Sequence, residues 1–273
     1  MNQHTNLLVE KGTVRAHSTV YWTFAHALLL AKRQLTQIPR QPDSLVFATV
    51  QPVFLTLLFR YVFGGAIAVS GTSYANFLMA GIFVEAALTS SLSTGFGLST
   101  DLARGLIDRF RSLPMAQSAV LTGRTLADLV RNGFVVVVMG AVGLLVGFRP
   151  GGNPLAWVAA TGLILLTCFA FSWLSAVLGL LLSSSEAVQS ASLILLYPLL
   201  LASNAFVPTS TMPFALRVFA EHQPVSLVIG AVRGLLLNQP DASSTWQALA
   251  WLFGLLVVSI PLALWTYRRR TAR

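Results

Sequence analysis

Six long apolar stretches alternate with polar connections along the chain. They cover residues 44–63, 74–98, 129–148, 155–182, 188–206 and 246–267. A membrane-spanning helix needs about 20 mostly apolar residues, and each stretch is close to that length. The pattern predicts an all-α, polytopic fold with six transmembrane helices. The turns after the first and third stretches are short and glycine-rich, GGAIAVSGTS and FRPGGNP. Two connections are longer. Residues 99–128 hold the charged, proline-stopped segment GLIDRFRSLPMAQSA. Residues 207–245 carry Pro208, Pro213, Pro224 and Pro240, which predict short broken helices.

Residues 19–40 follow a different pattern. Tyr21, Phe24, Leu28, Ala31, Leu35 and Ile38 recur at steps of three and four, which is one helical face. His26, Arg33 and Gln37 fall elsewhere, and Lys32, Arg33 and Pro39 mark the end. This predicts an amphipathic helix lying in the membrane interface. A seventh span is the rival reading, disfavoured by the cost of burying Lys32, Arg33 and His26. Residues 1–18 are polar and read as a flexible cytoplasmic terminus. No short apolar core followed by a small-residue cleavage site precedes the first span, so no cleavable signal is expected. Residues 19–273 read as one transmembrane domain.

Composition supports the membrane assignment. Of 273 residues, 55% are hydrophobic and 10% charged, against about 25% charged in soluble domains. The mean hydropathy is +0.72. The net charge of +9 does not imply nucleic acid, because the basic residues gather at the ends of apolar stretches with no basic-aromatic face. Their distribution sets orientation, since cytoplasmic loops retain Lys and Arg. Lys11, Arg15, Lys32, Arg33 and Arg40 precede the first span, and Arg268, Arg269, Arg270 and Arg273 follow the last. Arg104, Arg109, Arg111, Arg124 and Arg131 lie in the 99–131 connection, which reaches into the start of the third. The other side has Arg60, Arg149, Arg217 and Arg233. Both termini and residues 99–128 are therefore expected in the cytoplasm, with 207–245 outside.

Catalytic chemistry finds little support. The only lysines, Lys11 and Lys32, follow no phosphate-cradling glycine pattern. His4, His17, His26 and His222 are scattered, and no serine has an evident base. The single cysteine, Cys168, lies in an apolar run and reads as a small buried hydrophobe. No disulfide or cysteine-based metal site is expected. The segment around Asp108 leaves two readings open. Leu106, Phe110 and Leu113 share a helical face suited to a partner's groove, or the segment is a solvated loop whose charges set topology.

Several motifs in order carry a family resemblance. DLARGLIDRFRSLPMAQSAVLTGRTLADLVRN resembles the cytoplasmic loop of type-2 ABC transporter permeases of the daunorubicin-resistance (DrrB-like) subfamily. QPVFLTLLFRYVFGGAI resembles that family's first span, YPLLLASNAFVPTSTMP its fifth span and exit loop, and EHQPVSLVIGAVRGLLL the short outer helices before the last span. The likeness runs from about residue 20 to near the end of the chain. It implies a permease subunit of an ATP-driven exporter in the bacterial cytoplasmic membrane, moving a hydrophobic drug, antibiotic or lipid. It further implies a second permease half, identical or related, and separate cytoplasmic ABC ATPase subunits that bind the ATP and Mg. This chain itself would hold no cofactor. Asp101, Arg104, Leu106, Asp108, Arg109, Phe110, Arg111, Leu113 and Pro114 would then form the element that couples to the ATPase. A polysaccharide-type exporter shares the architecture. An intramembrane enzyme and a non-transporting anchor are readings from other classes.

Polar residues within the apolar stretches complete the candidates. Glu85 is the one acid deep in a predicted span, either on the substrate path or holding helices together. The resembling family usually has an uncharged residue there, so a family-wide role is not implied. Gln51-Pro52 removes a backbone hydrogen bond within the first span, giving a kink or a gating hinge. Arg60 is expected to snorkel to the outer interface. Ser90, Ser91, Ser93 and Thr94, with Gly95 and Gly97, form a small polar face suited to close helix packing.

Overall fold

Helices α2 (Tyr74–Ala103) and α4 (Pro154–Leu181) make the most extensive contact in the computed structural model, and each of the other long helices packs on one or both of them. The structure describes residues 42–69, 71–103, 117–182 and 184–271. The predicted interfacial helix at 19–40 lies outside them. In chain order, α1 is Pro42–Leu57, continued by a π-helical turn at Leu58–Phe63, and α2 follows. Then come α3 (Gln117–Val146), α4 (Pro154–Leu181), α5 (Ser185–Leu201), a 3-10 turn at Thr209–Thr211, α6 (Phe214–His222), α7 (Pro224–Leu236) and α8 (Ala242–Thr271). The described residues contain no strand, so the fold is all-α.

Each of the six apolar stretches coincides with a helix. By length and composition α2, α3, α4 and α8 are able to cross a membrane, while α1 and α5 are shorter apolar helices. The chain is thus a multi-pass membrane protein. Its surface agrees: Leu145 and Leu155 are 86% and 75% exposed, and Trp246 and Val257 also face outward. Lipid tails cover such faces without cost, whereas water would leave them as association-prone patches.

Hydrogen bonds between connections define two ends of the bundle. At one, Arg60 donates to the Val146 carbonyl (3.3 Å), Tyr74 to that of Phe206 (3.0 Å), and Gly151 and Gly152 to that of Leu236. At the other, Ser99 donates to Ser185 (3.0 Å), and Arg270 to the Leu181 and Leu182 carbonyls (both 3.1 Å). Helix α2 ends and α3 begins at this second end. Local caps fix the starts of α4 and α8. Asn153 accepts from the Ala156 amide beside Pro154, which needs no donor partner at the first helical position. Asp241 accepts from the Ser243 and Ser244 amides and from the Ser244 hydroxyl. These bonds, led by the Ser244 hydroxyl, hold its carboxyl below the usual range.

The α2–α4 crossing is close because glycine lets the backbones meet. The Gly95 amide donates to Ser175 Oγ (3.0 Å), and that hydroxyl donates to the Leu92 carbonyl (3.1 Å). A methyl at Gly95 would lie 2.2 Å from the Ser175 carbonyl oxygen, and one at Gly179 would lie 2.4 Å from that of Gly95. Between apolar helices in lipid, association depends on such contact packing and on interhelical hydrogen bonds.

Candidate functional site

Gln51 and Glu85, 34 residues apart in sequence, meet between α1 and α2. Gln51 Nε2 donates to Glu85 Oε1 at 3.2 Å. Glu85 is 1% exposed, and its second carboxylate oxygen has no partner. One turn on, the Thr89 hydroxyl donates to the Glu85 carbonyl (2.8 Å). Pro52 lies inside α1, where it lacks the amide that residue 48 would accept from. Its own carbonyl accepts from Thr56 Oγ1 (2.7 Å), so a side-chain donor sits one turn beyond the break. Beside this group is a cavity of about 280 Å³ between α1, α2 and α5, lined by Gln51, Thr89, Ser93, Phe96, Ser192 and Tyr197 among others.

A second polar group, between α2, α3 and α4, was not foreseen from the sequence. Predicting the third span to begin at residue 129 left Arg124 and Asp128 outside it, and Arg131 was counted with the charges of the 99–131 connection. Instead α3 begins at Gln117, and all three are helical. Asp128 is only 8% exposed and pairs with Arg131 at 2.9 Å. It also accepts from Thr94. Arg131 donates to the Ser90 carbonyl and hydroxyl (both 3.1 Å) and to Ser93. Asn132 donates to Ser90 Oγ (2.9 Å) and to Cys168 Sγ (2.9 Å). The small polar face of α2 therefore does two things. Gly95 allows close approach to α4, while Ser90, Ser93 and Thr94 solvate an ion pair on α3. Asp-x-x-Arg-Asn at 128–132 is the signal that could have shown this, because i, i+3 and i+4 share a helix face.

Asp101, at the end of α2, pairs with Arg124 at 2.6 Å. The guanidinium crosses α2 over Gly97, where a methyl would lie 1.7 Å from it. This pair is part-exposed and contributes little stability alone, but it ties α2 to α3 next to residues 104–116. Arg104, Leu106, Asp108, Arg109, Phe110, Arg111, Leu113 and Pro114 lie outside the described residues.

At the opposite end, Arg60 turns back to the Val146 carbonyl and approaches the Tyr61 ring. Arg233, taken from its position as a charge on the outer side, is instead inserted between α7 and α2. It lies 3.7 Å from the Phe77 ring centroid and donates to the Phe77 and Asn204 carbonyls. Carbonyl dipoles and an aromatic face replace a carboxylate partner here.

Comparison with known proteins agrees with this architecture. Residues 26–237 match the family model described as ABC-2 type transporter. The chain is 36% identical over 231 residues to the daunorubicin resistance ABC transporter permease protein DrrB1 of Streptomyces coeruleorubidus, covering 85% of this chain and 82% of that protein. It is 29% identical over 250 residues to the probable doxorubicin resistance ABC transporter permease protein DrrC of Mycobacterium tuberculosis, covering 90% and 89%. A putative transport permease, ycf38, of Porphyra purpurea is 27% identical over 217 residues, 77% of this chain and 73% of that one. The chain belongs to the ABC-2 type transporter family. It is a membrane permease subunit of an ABC exporter, a transporter component rather than a catalytic enzyme.

Proposed function

We propose that this permease carries hydrophobic drugs or antibiotics, or related lipids, out of the cytoplasm or inner leaflet of a bacterial cytoplasmic membrane. The observation that carries the reading is the match over most of the chain to permeases named for daunorubicin and doxorubicin resistance. The apolar outer surface supports a route open to lipid-soluble cargo. Six spans enclose the single domain at 19–273, α1 and α5 crossing with the four longer helices. A second permease half faces this one, and two cytoplasmic ATPase chains bind the ATP and Mg. The path runs beside Gln51, Pro52 and Glu85, and it alternates between inward and outward access or releases cargo laterally. Co-expression with a candidate ABC ATPase chain tests the whole reading. The two chains should co-purify, and inside-out vesicles should accumulate doxorubicin when ATP is added. ATP-independent dye distribution, with no ATPase bound, would overturn it.

The proposed orientation places both termini and 99–128 in the cytoplasm and 207–245 outside, from the Lys/Arg distribution. An impermeant thiol reagent should label Ser210→Cys but not Ser112→Cys in intact cells. Native Cys168 is fully buried and stays unlabelled. The reverse labelling pattern would refute the orientation.

Residues 101–114 are proposed as the coupling element. The Asp101–Arg124 tie supports this, because it joins the two helices that flank the segment. Aromatic anchors in interfaces cost about 2 kcal/mol or more when truncated. Phe110→Ala should therefore weaken ATPase association or separate ATP turnover from export, with insertion unchanged. Arg109→Ala and Arg111→Ala should act more weakly, since rim charges remain hydrated and screened. Wild-type co-purification, turnover and efflux in Phe110→Ala and in the double arginine variant would make the segment a solvated topology signal.

A further inference from the structure

We propose that the cavity between α1, α2 and α5 is a cation-recognition subsite, in which Glu85 receives the ammonium group of an amphipathic amine and Gln51 yields to it. The inference rests on the proposed export path and adds the chemical class of its cargo. Four observations carry it. First, Glu85 is almost fully buried, yet only one of its oxygens has a donor, the neutral Gln51 amide at 3.2 Å. A carboxylate has about four acceptor positions, and leaving them empty away from water is costly. Second, the residue holding that one donor, Gln51, itself lines a cavity of about 280 Å³. Across the cavity, the buried Ser192 hydroxyl likewise has no partner.

Third, the described lining residues are all neutral. Among the described residues that line the cavity there is no Lys, Arg or His. Arg131 reaches Ser93 from the α3 side, but Asp128 pairs with it at 2.9 Å. A cation carried by the ligand would supply the partner that Glu85 lacks among the described lining residues. Fourth, the volume fits a head group. Pockets that enclose a drug-sized molecule are about 300–1,000 Å³, so this one takes the amine-bearing end while the apolar body lies along Phe96 and Leu193 towards the bilayer. An ammonium displaces the Gln51 amide because charge-assisted hydrogen bonds are roughly twice as strong as neutral ones.

The test uses the full-length permease in phosphatidylcholine nanodiscs, titrated with doxorubicin and with N-acetyldoxorubicin. The two share one fluorescent ring system, and the second has a neutral amide where the first has a protonated amine. The wild-type protein should prefer the amine by roughly tenfold, the step that one charge-assisted bond adds over a neutral one. Glu85→Gln should remove the preference, Glu85→Asp should keep most of it, and Gln51→Ala should keep or strengthen it. Equal affinity of the wild-type protein for both probes, or binding of neither, overturns the proposal without recourse to any variant. A preference that survives in Glu85→Gln overturns it as well. The same preparations assembled with the ATPase separate the two levels of inference. Absence of export with the amine preference intact would sink the transport reading and leave the cation subsite standing.

Discussion

Replacing Gly95 with valine should abolish the folded permease. Even one methyl at this position would sit 2.2 Å from the Ser175 carbonyl oxygen and 2.8 Å from its carbonyl carbon. Both obstructing atoms are backbone, so no rotamer change clears the space. Overpacking a tight interior costs about 1–3 kcal/mol where side chains are able to shift, and here α2 must move from α4 as a unit. Separation also breaks the Gly95–Ser175–Leu92 hydrogen-bond chain, leaving a serine hydroxyl without partners in an apolar setting. Gly95→Ala should lower thermal stability in detergent strongly, and Gly95→Val should leave little monodisperse protein. Gly162→Ala and Gly254→Ala serve as controls, because nothing lies within 4 Å of a methyl built there. If Gly95→Val purifies and melts like the wild-type protein, the α2–α4 crossing described here is wrong.

Much of this architecture is legible in the sequence, because a helix in lipid must be both long and apolar. The stretches predicted at 74–98, 155–182 and 246–267 match the helices Tyr74–Ala103, Pro154–Leu181 and Ala242–Thr271, the second overrunning its helix by one residue. Boundaries fail where charge is mistaken for an end. Arg124, Asp128 and Arg131 lower the hydropathy of residues 117–131, yet the backbone there stays helical because each charge finds a partner on α2 or on its own helix. Arg233 misleads for a related reason. A lone arginine near an outer loop resembles a hydrated topology signal, whereas its actual ligands are carbonyls of Phe77 and Asn204, which no side-chain pattern advertises. The Gln51–Glu85 contact joins two residues already singled out separately, but their pairing depends on how α1 leans on α2. The role of Gly95 in close packing was readable from the small-residue run; its partner Ser175 was not.

Removing the Asp128 carboxylate should destabilise the protein nearly as much, for an electrostatic reason. Asp128 and Arg131 have 11% and 17% of their side chains exposed, so the pair is largely out of water. Deleting one member of such a pair costs about 3–5 kcal/mol, chiefly because the other charge is left buried without compensation. Asp128→Ala would also release the Thr94 hydroxyl. Arg131 would keep its bonds to Ser90 and Ser93, which are neutral and satisfy donors without balancing charge. Arg131→Leu should be comparably harmful, because it leaves the carboxylate with Thr94 alone. The double variant Asp128→Ala/Arg131→Leu removes both charges together, and it should be more stable than the sum of the single losses predicts. That difference is the coupling energy a double-mutant cycle isolates. Thermal unfolding of the four proteins in one lipid composition measures it. Strictly additive losses, or an Asp128→Ala protein as stable as the wild type, would mean that the pair does not hold α3 to α2. Positive coupling would mean that the helices on either side of residues 104–116 are joined twice, by Asp101–Arg124 near the end and by Asp128–Arg131 with its α2 hydroxyls farther in. A force applied at the proposed coupling element would then move α2 and α3 together, and with them the α2 wall of the cavity that Gln51 lines.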